Sequence, residues 1–185
     1  MQAGLLIALT VSISACSTER VTAPREYLDE HTAATITVVK DPWIFTRASV
    51  HAGSGQYRDF LHLYAVDVNR MGDHKQYLAA LYSLAAESTP SSESPATLEL
   101  KTRNGSISLN ASTAEPKELG IVQPIAPSYA LDATWSYFPV DKQTLATIAN
   151  TTEMDASIVR GDEKTDYAQW RDGRDELSEL TAVLP

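Results

Sequence analysis

Cysteine is almost missing from this chain: Cys16 is the single one in 185 residues. That excludes internal disulfides, and it leaves too few thiols for a cysteine-built zinc site. Histidine is scarce as well. His31, His51, His62 and His74 are the four, with no HxH, no HExxH and no pair at i, i+4, so any metal site has to be assembled by the fold. Neither Gly-x-x-x-x-Gly-Lys nor Gly-x-Gly-x-x-Gly occurs, which removes the usual phosphate cradles. No run of apolar residues approaches the length of a membrane-spanning helix. Bases are outnumbered by acids, and the net charge of −9 opposes phosphate backbones and anionic headgroups. Nucleic acid is therefore not an expected partner.

What is present starts with an address. Residues 1–15 carry no charge, and Leu5 to Ile13 form an apolar run broken only by Thr10 and Ser12. Its length suits the hydrophobic region of a signal peptide. It ends in Ile13-Ser14-Ala15-Cys16, which resembles the bacterial lipobox, [Leu/Val/Ile]-[Ala/Ser/Thr]-[Gly/Ala]-Cys. The resemblance implies cleavage before Cys16 and attachment of a diacylglycerol to its sulfur, with a further acyl chain on the amine in Gram-negative species. Two or more chains anchor a protein stably where one is marginal. Ser17 in the next position, rather than Asp, implies delivery to the outer membrane. The rest of the chain is similar to small proteobacterial lipoproteins, a likeness that implies no mechanism.

Residues 17–26 are polar, contain Pro24 and show no period, so residues 16–26 are expected to be the lipidated cysteine and its tether. Residues 27–185 then make one domain, with 43% hydrophobic residues as in ordinary globular proteins. Its pattern is that of strands. Residues 35–40 and 43–47 are β-branched and aromatic, separated by Asp41-Pro42. In residues 59–68, Phe60, Tyr64, Val66 and Val68 share a face with His62, while Leu61, Leu63 and Ala65 take the other. Residues 75–86 are apolar on both faces, and residues 69–74 are expected to close a six-residue hairpin loop. A helix over residues 76–86 is the competing reading.

Residues 87–96 are a serine- and proline-rich loop. Asn104-Gly105 then predicts a two-residue hairpin turn that pairs Leu100 with Leu109 and Leu98 with Ala111. Residues 113–131 are expected to run irregularly over the surface. Residues 134–140 predict another strand. Asp141 is placed to cap a helix through Asn150 that buries Leu145, Ile148 and Ala149. A hairpin is expected around Gly161-Asp162. Asp172 is placed to cap a last helix carrying Leu177, Leu180 and Leu184. The fold class is mostly β, a β-rich α+β domain, with an antiparallel sheet or sandwich and two short helices towards the C-terminus.

The chemistry-bearing residues are few. His62 on an aromatic strand face and His74 beside Asp73 are the candidate ligand-binding residues. Each also reads as ordinary packing or turn chemistry. His51-Ala52-Gly53-Ser54-Gly55 lacks the frame of a nucleophile elbow. Arg160-Gly161-Asp162 fits the turn geometry alone. Asp59 and Asp67 would lie roughly 26 Å apart along one strand, too far for a glycosidase pair, and read as solvated strand ends. No catalytic residue, metal or cofactor is assigned. The expected function is a lipid-anchored, periplasm-facing binding module for an envelope protein or a small ligand. A hydrolase or metal-dependent enzyme with a spatially assembled His/Asp site is the alternative.

Overall fold

Strand alternation organises nearly everything between residue 25 and the last helix. The computed structural model describes residues 23–49, 57–83, 95–103, 105–127 and 133–185. The leader, Cys16 and the tether as far as residue 22 lie outside the described residues. So do His51, Ser54, Asn104, residues 84–86 of the expected strand and residues 87–94 of the serine- and proline-rich stretch. Ten strands are found: β1 (Arg25–Asp29), β2 (Ala34–Val38), β3 (Trp43–Ser49), β4 (Tyr57–Arg70), β5 (Asp73–Ser83), β6 (Thr97–Thr102), β7 (Gly105–Asn110), β8 (Ala133–Val140), β9 (Met154–Arg160) and β10 (Glu163–Arg171). Three short helices accompany them: α1 (Pro116–Leu119), α2 (Lys142–Ala149) and α3 (Arg174–Val183). The fold is β-rich with an antiparallel sheet, as expected. No described helix is long and apolar enough to cross a membrane.

The long strand β4 positions the rest. One of its edges is shared: β3 pairs with Tyr57–Leu63, and β2 pairs with Val66–Asn69. The break between these two strands falls at Asp41-Pro42, where proline has no N–H to offer a ladder. β2 continues to β1, while β3 continues through β10, β9 and β6 to β7. On its other edge β4 pairs with β5, and β5 with β8. Beyond β7, the N–H of Ser112 donates to the carbonyl of Tyr137 in β8 at 2.7 Å. The path thus returns on itself as an antiparallel, barrel-like ring whose last seam is thin.

The inner face of the ring is apolar at its centre. Phe45, Leu61, Leu98, Leu100, Ala156 and Phe138 are all fully buried there. One end is plugged by α2 and α3. Asp141 caps α2 by accepting the N–H of Thr144 at 2.6 Å, and Leu145, Ile148 and Ala149 are buried as expected. Leu177 and Leu180 of α3 meet them. Gly173 rather than Asp172 is the N-cap of α3. A Cβ at that position would come within 2.9 Å of the Trp43 backbone nitrogen, so glycine lets the helix start press against β3. Asp172 still contributes, accepting the N–H of Arg174 at 2.9 Å.

A second layer covers part of the outer face. Residues 113–131 were expected on the surface as an irregular run. The described part instead contains α1 and buries Leu119, Ile121, Ile125 and Ala126, in the same hydrophobic cluster as Ile36, Val66 and Val68. Asp29 holds this layer down. Its fully buried carboxylate accepts four backbone N–H groups, from Val122 and Gln123 at 2.7 and 2.8 Å and from His31 and Thr32 at 3.0 and 3.2 Å. Burial pushes the Asp29 pKa up, but the four donors outweigh it and hold the carboxyl below its usual range. Arg25 and Glu26, expected in the tether, belong to β1.

Two hairpins correct the sequence reading. The turn between β4 and β5 is Met71-Gly72, with φ of 54° and 92°, and not a six-residue loop. Both central residues have positive φ, as a type I′ turn requires. The strands are consequently longer than expected, and residues 73–83 are strand and not helix. In the β6–β7 hairpin, Thr102 faces Gly105, Leu100 faces Ile107 and Leu98 faces Leu109. The expected pairing of Leu100 with Leu109 is therefore wrong by two residues. A two-residue slip keeps every side chain on its face, so the apolar pattern could not discriminate the two registers.

Candidate open-end site

The inner face changes character at the end away from the helices. Alternation along β9 puts Arg160 on the same side as Ala156 and Ile158. Along β3 it puts Arg47 in line with Trp43 and Phe45, and along β5 it puts Tyr82 in line with Leu78 and Ala80. Arg160 Nη2 donates to the Tyr82 hydroxyl at 2.7 Å, and its guanidinium carbon lies 5.8 Å from the Tyr82 ring centre. The Tyr82 hydroxyl is also 3.0 Å from Ser136 Oγ. Arg47 sits beside them, its Nε and Nη2 both 2.9 Å from Asp59 Oδ2 and its guanidinium 5.6 Å from the Tyr167 ring centre. Burial pushes the Tyr167 phenol up to about 12; Arg47 opposes the shift, while Asp59 and Tyr82 add to it.

These two arginines are differently served. Arg47 has a carboxylate, whereas no carboxylate among the described residues forms an ion pair with Arg160. Its Nε is buried without an acceptor. A donor buried in that condition is costly, since it loses its hydration on folding without gaining an acceptor. Glu163 stands directly opposite Arg160 in the β9–β10 register, on the same face, without forming an ion pair with it.

The histidines singled out from sequence are not brought together. His62 lies on the outer face of β4, half-buried, with its ring edge-on to Phe60 at 6.2 Å. Burial lowers its pKa below the ordinary 6.5. His74 lies towards the opposite end of β4, on the other face of the sheet, about 23 Å from His62 along the strand. Its Nδ1 is 2.8 Å from Asp67 Oδ2, and Gln76 Nε2 donates to Asp67 Oδ1 at 2.7 Å. Its partner is thus Asp67 and not the adjacent Asp73, whose carboxylate faces Lys75 at 3.7 Å. Asp59 and Asp67 are not solvated strand ends. β4 runs beyond both of them, so Asp67 is buried in the sheet and Asp59 is held by Arg47.

Among the described residues no three His, Cys, Asp or Glu side chains converge in a way that could hold a metal ion. The His74–Asp67 pair has the geometry that orients an imidazole, and Gln76, its further neighbour, is neither nucleophile nor acid. On the outer face, a bulge between Gln169 and Arg171 in β10 presents Trp170, 59% exposed, with the Arg58 guanidinium 4.9 Å from its ring centre. The site that sequence reasoning missed is Arg160. Its strand parity was readable, but Tyr82 is 78 positions away, and no local pattern announces that contact. No family model, no curated protein and no solved structure matches this chain.

Proposed function

We propose that this protein is an outer-membrane lipoprotein, anchored through Cys16 and facing the periplasm, whose β-domain is a non-catalytic binding module. The observation that carries the binding reading is Arg160, an inner-facing guanidinium with a buried donor that has no acceptor, and with no ion-pair partner among the described residues. A group left in that state at the rim of an otherwise filled interior is arranged for something that arrives from outside. The lipobox resemblance and the polar stretch up to β1 support the anchor. The eight residues 17–24 before β1 reach at most about 28 Å when extended, which keeps the domain near the bilayer. Its negative charge repels anionic headgroups, so the lipid and not the surface does the holding.

The test is done on the full chain in its native envelope. Palmitate labelling and membrane fractionation are expected for the wild type, and both are lost in Cys16→Ser. Normal fractionation of that variant with unchanged mass overturns the anchor. Crosslinking in intact envelopes followed by mass spectrometry is expected to capture a partner or ligand at residues around Arg160. Turnover of an ester or peptide substrate that disappears in His74→Ala would replace binding by catalysis.

A further inference from the structure

We infer that the outer edge of β7 pairs with the same edge of a second copy of this chain, joining the two sheets about a two-fold axis at Ile107. The inference is independent of Arg160 and of anything bound there. It starts from the edges that the sheet leaves over. β1 and β7 end the strand order, and β8 pairs only with β5. β1 carries Arg25 and Glu26, and β8 carries Pro139. Charge and proline are the usual means of keeping a foreign strand off an edge. β7 has neither, reading Gly-Ser-Ile-Ser-Leu-Asn over Gly105–Asn110.

The ladder shows what this edge offers. The Ala111 N–H donates to the Ala96 carbonyl at 2.8 Å. Counting back through the register directs the backbone groups of Leu109, Ile107 and Gly105 towards β6, and those of Ser106 and Ser108 away from it. Both serines are exposed. β8 meets this side of the chain at the Ser112–Tyr137 bond, and its next residue on that edge is Pro139, which has no N–H to continue the ladder.

A second β7 laid antiparallel supplies the missing partners. Centred on Ile107, it sets Ser106 against Ser108 of the other copy, each pair exchanging N–H and carbonyl bonds. Ile107 then meets its own counterpart, and Leu109 falls opposite the small Gly105. Ile107 and Leu109 are half-buried against the core, so the inner side of the join is apolar. A two-fold axis at Ser108 would instead carry the copy's turn onto the Ser112–Tyr137 seam and bring Glu99 of both copies onto one row. The Ile107 register puts Lys101 on the row of the other copy's Glu99. Glu99 is itself paired with Lys164, and Arg103 with Glu153 at the turn. A chain of net charge −9 therefore brings no bare acid to this join. An uncharged edge that complements itself selects a second copy over a charged peptide.

Disulfide trapping and sedimentation of the purified full chain in detergent test this, on a Cys16→Ser background so that the introduced thiol is the only one. A mixture of Ser106→Cys and Ser108→Cys proteins is expected to give severalfold more linked dimer than either alone. Facing Cα atoms in such a pair lie about 5.5 Å apart, within disulfide reach. Sedimentation is expected to show a dimer that dissociates on dilution. Ser108→Pro removes an N–H that β6 does not use, and Ser106→Lys combined with Ser108→Lys leaves the backbone intact. Each is expected to abolish the dimer with Tm close to wild type; if Ser108→Pro does not fold, the lysine pair gives the reading. A dimer that survives the lysine pair overturns the edge. Monomer at every concentration, without mixed trapping, overturns the second copy. Linkage of Ser108→Cys to a different protein in whole cells, with no self-link, also overturns it and gives the edge to that partner.

Discussion

The two ends of the barrel obey one pleat and hold opposite contents. At the plugged end the inward positions are Trp43, Leu63, Leu78, Leu100 and Met154, sealed by Ile148 and Leu177 from the helices. The small gap among them is lined by apolar side chains apart from Asp41. At the open end the inward positions become Arg47, Tyr82, Ser136 and Arg160. Alternation decides which residues face in. The residue types then decide whether the inside is packing or chemistry. The apolar packing is concentrated where the helices are, and the polar inward side chains where they are not.

The largest expected effect comes from breaking the plugged end. Leu180 is fully buried, and Leu180→Ala should cost about 3 kcal/mol of unfolding free energy through lost transfer and a residual cavity. Urea denaturation measures it. A cost near zero would mean that the helices do not seal the barrel.

Asp29 belongs to neither end and serves to separate stability from binding. Asp29→Asn should destabilise by about 2 kcal/mol, because the buried charge-assisted bonds to the outer layer are weakened, while envelope crosslinking around Arg160 survives. Acid should do the same. Folding lowers the Asp29 pKa below its ordinary 3.8, so the clamp contributes fully above that value and fades as pH falls through the lower folded value. Thermal unfolding as a function of pH should show an acid limb that is shallower in Asp29→Asn. An unchanged limb would assign acid sensitivity elsewhere.

At the open end the effects on stability should be small and those on binding large. Tyr82→Phe removes the hydroxyl that joins Arg160 to Ser136 and should cost about 1 kcal/mol, with weaker envelope crosslinking around Arg160. Arg160→Gln should change stability by about zero, within ~0.5 kcal/mol of wild type, because the lost bond to Tyr82 is offset by removal of a buried donor without an acceptor. A loss as large as that of Leu180→Ala would make Arg160 a structural residue and erase the distinction between the ends.

Much of this was readable beforehand, and the misreadings share a cause. Strand alternation separated His62 from Leu61 and Leu63 correctly, and the cap at Asp141 with its buried Leu145 and Ile148 stood as expected. The hairpin register slipped by two because the rule for Asn-Gly turns competes with cross-strand packing, and both registers keep Leu98 and Leu100 inward. Asp67 looked like a strand end because polar residues 69–74 resemble a loop. In the structure Asn69 bonds the Gly72 N–H at 2.8 Å, and the tight turn carries the strands past Asp67. The buried run after α1 was missed because three prolines and no period conceal a segment whose apolar residues pack singly.

By itself the sequence determined most of the strands, the face that their side chains take and the apolar stripes of the two C-terminal helices, since these follow from backbone sterics and periods of two and 3.6. Only the tertiary structure decided that β3 leaves β4 to begin a ring, that Asp29 clamps residues 122 and 123, and that Arg160 meets Tyr82 across the barrel. Such contacts join positions tens of residues apart. Their energy comes from removing charges and donors from water, a condition that no local spacing specifies and that exists only once the walls have closed around them.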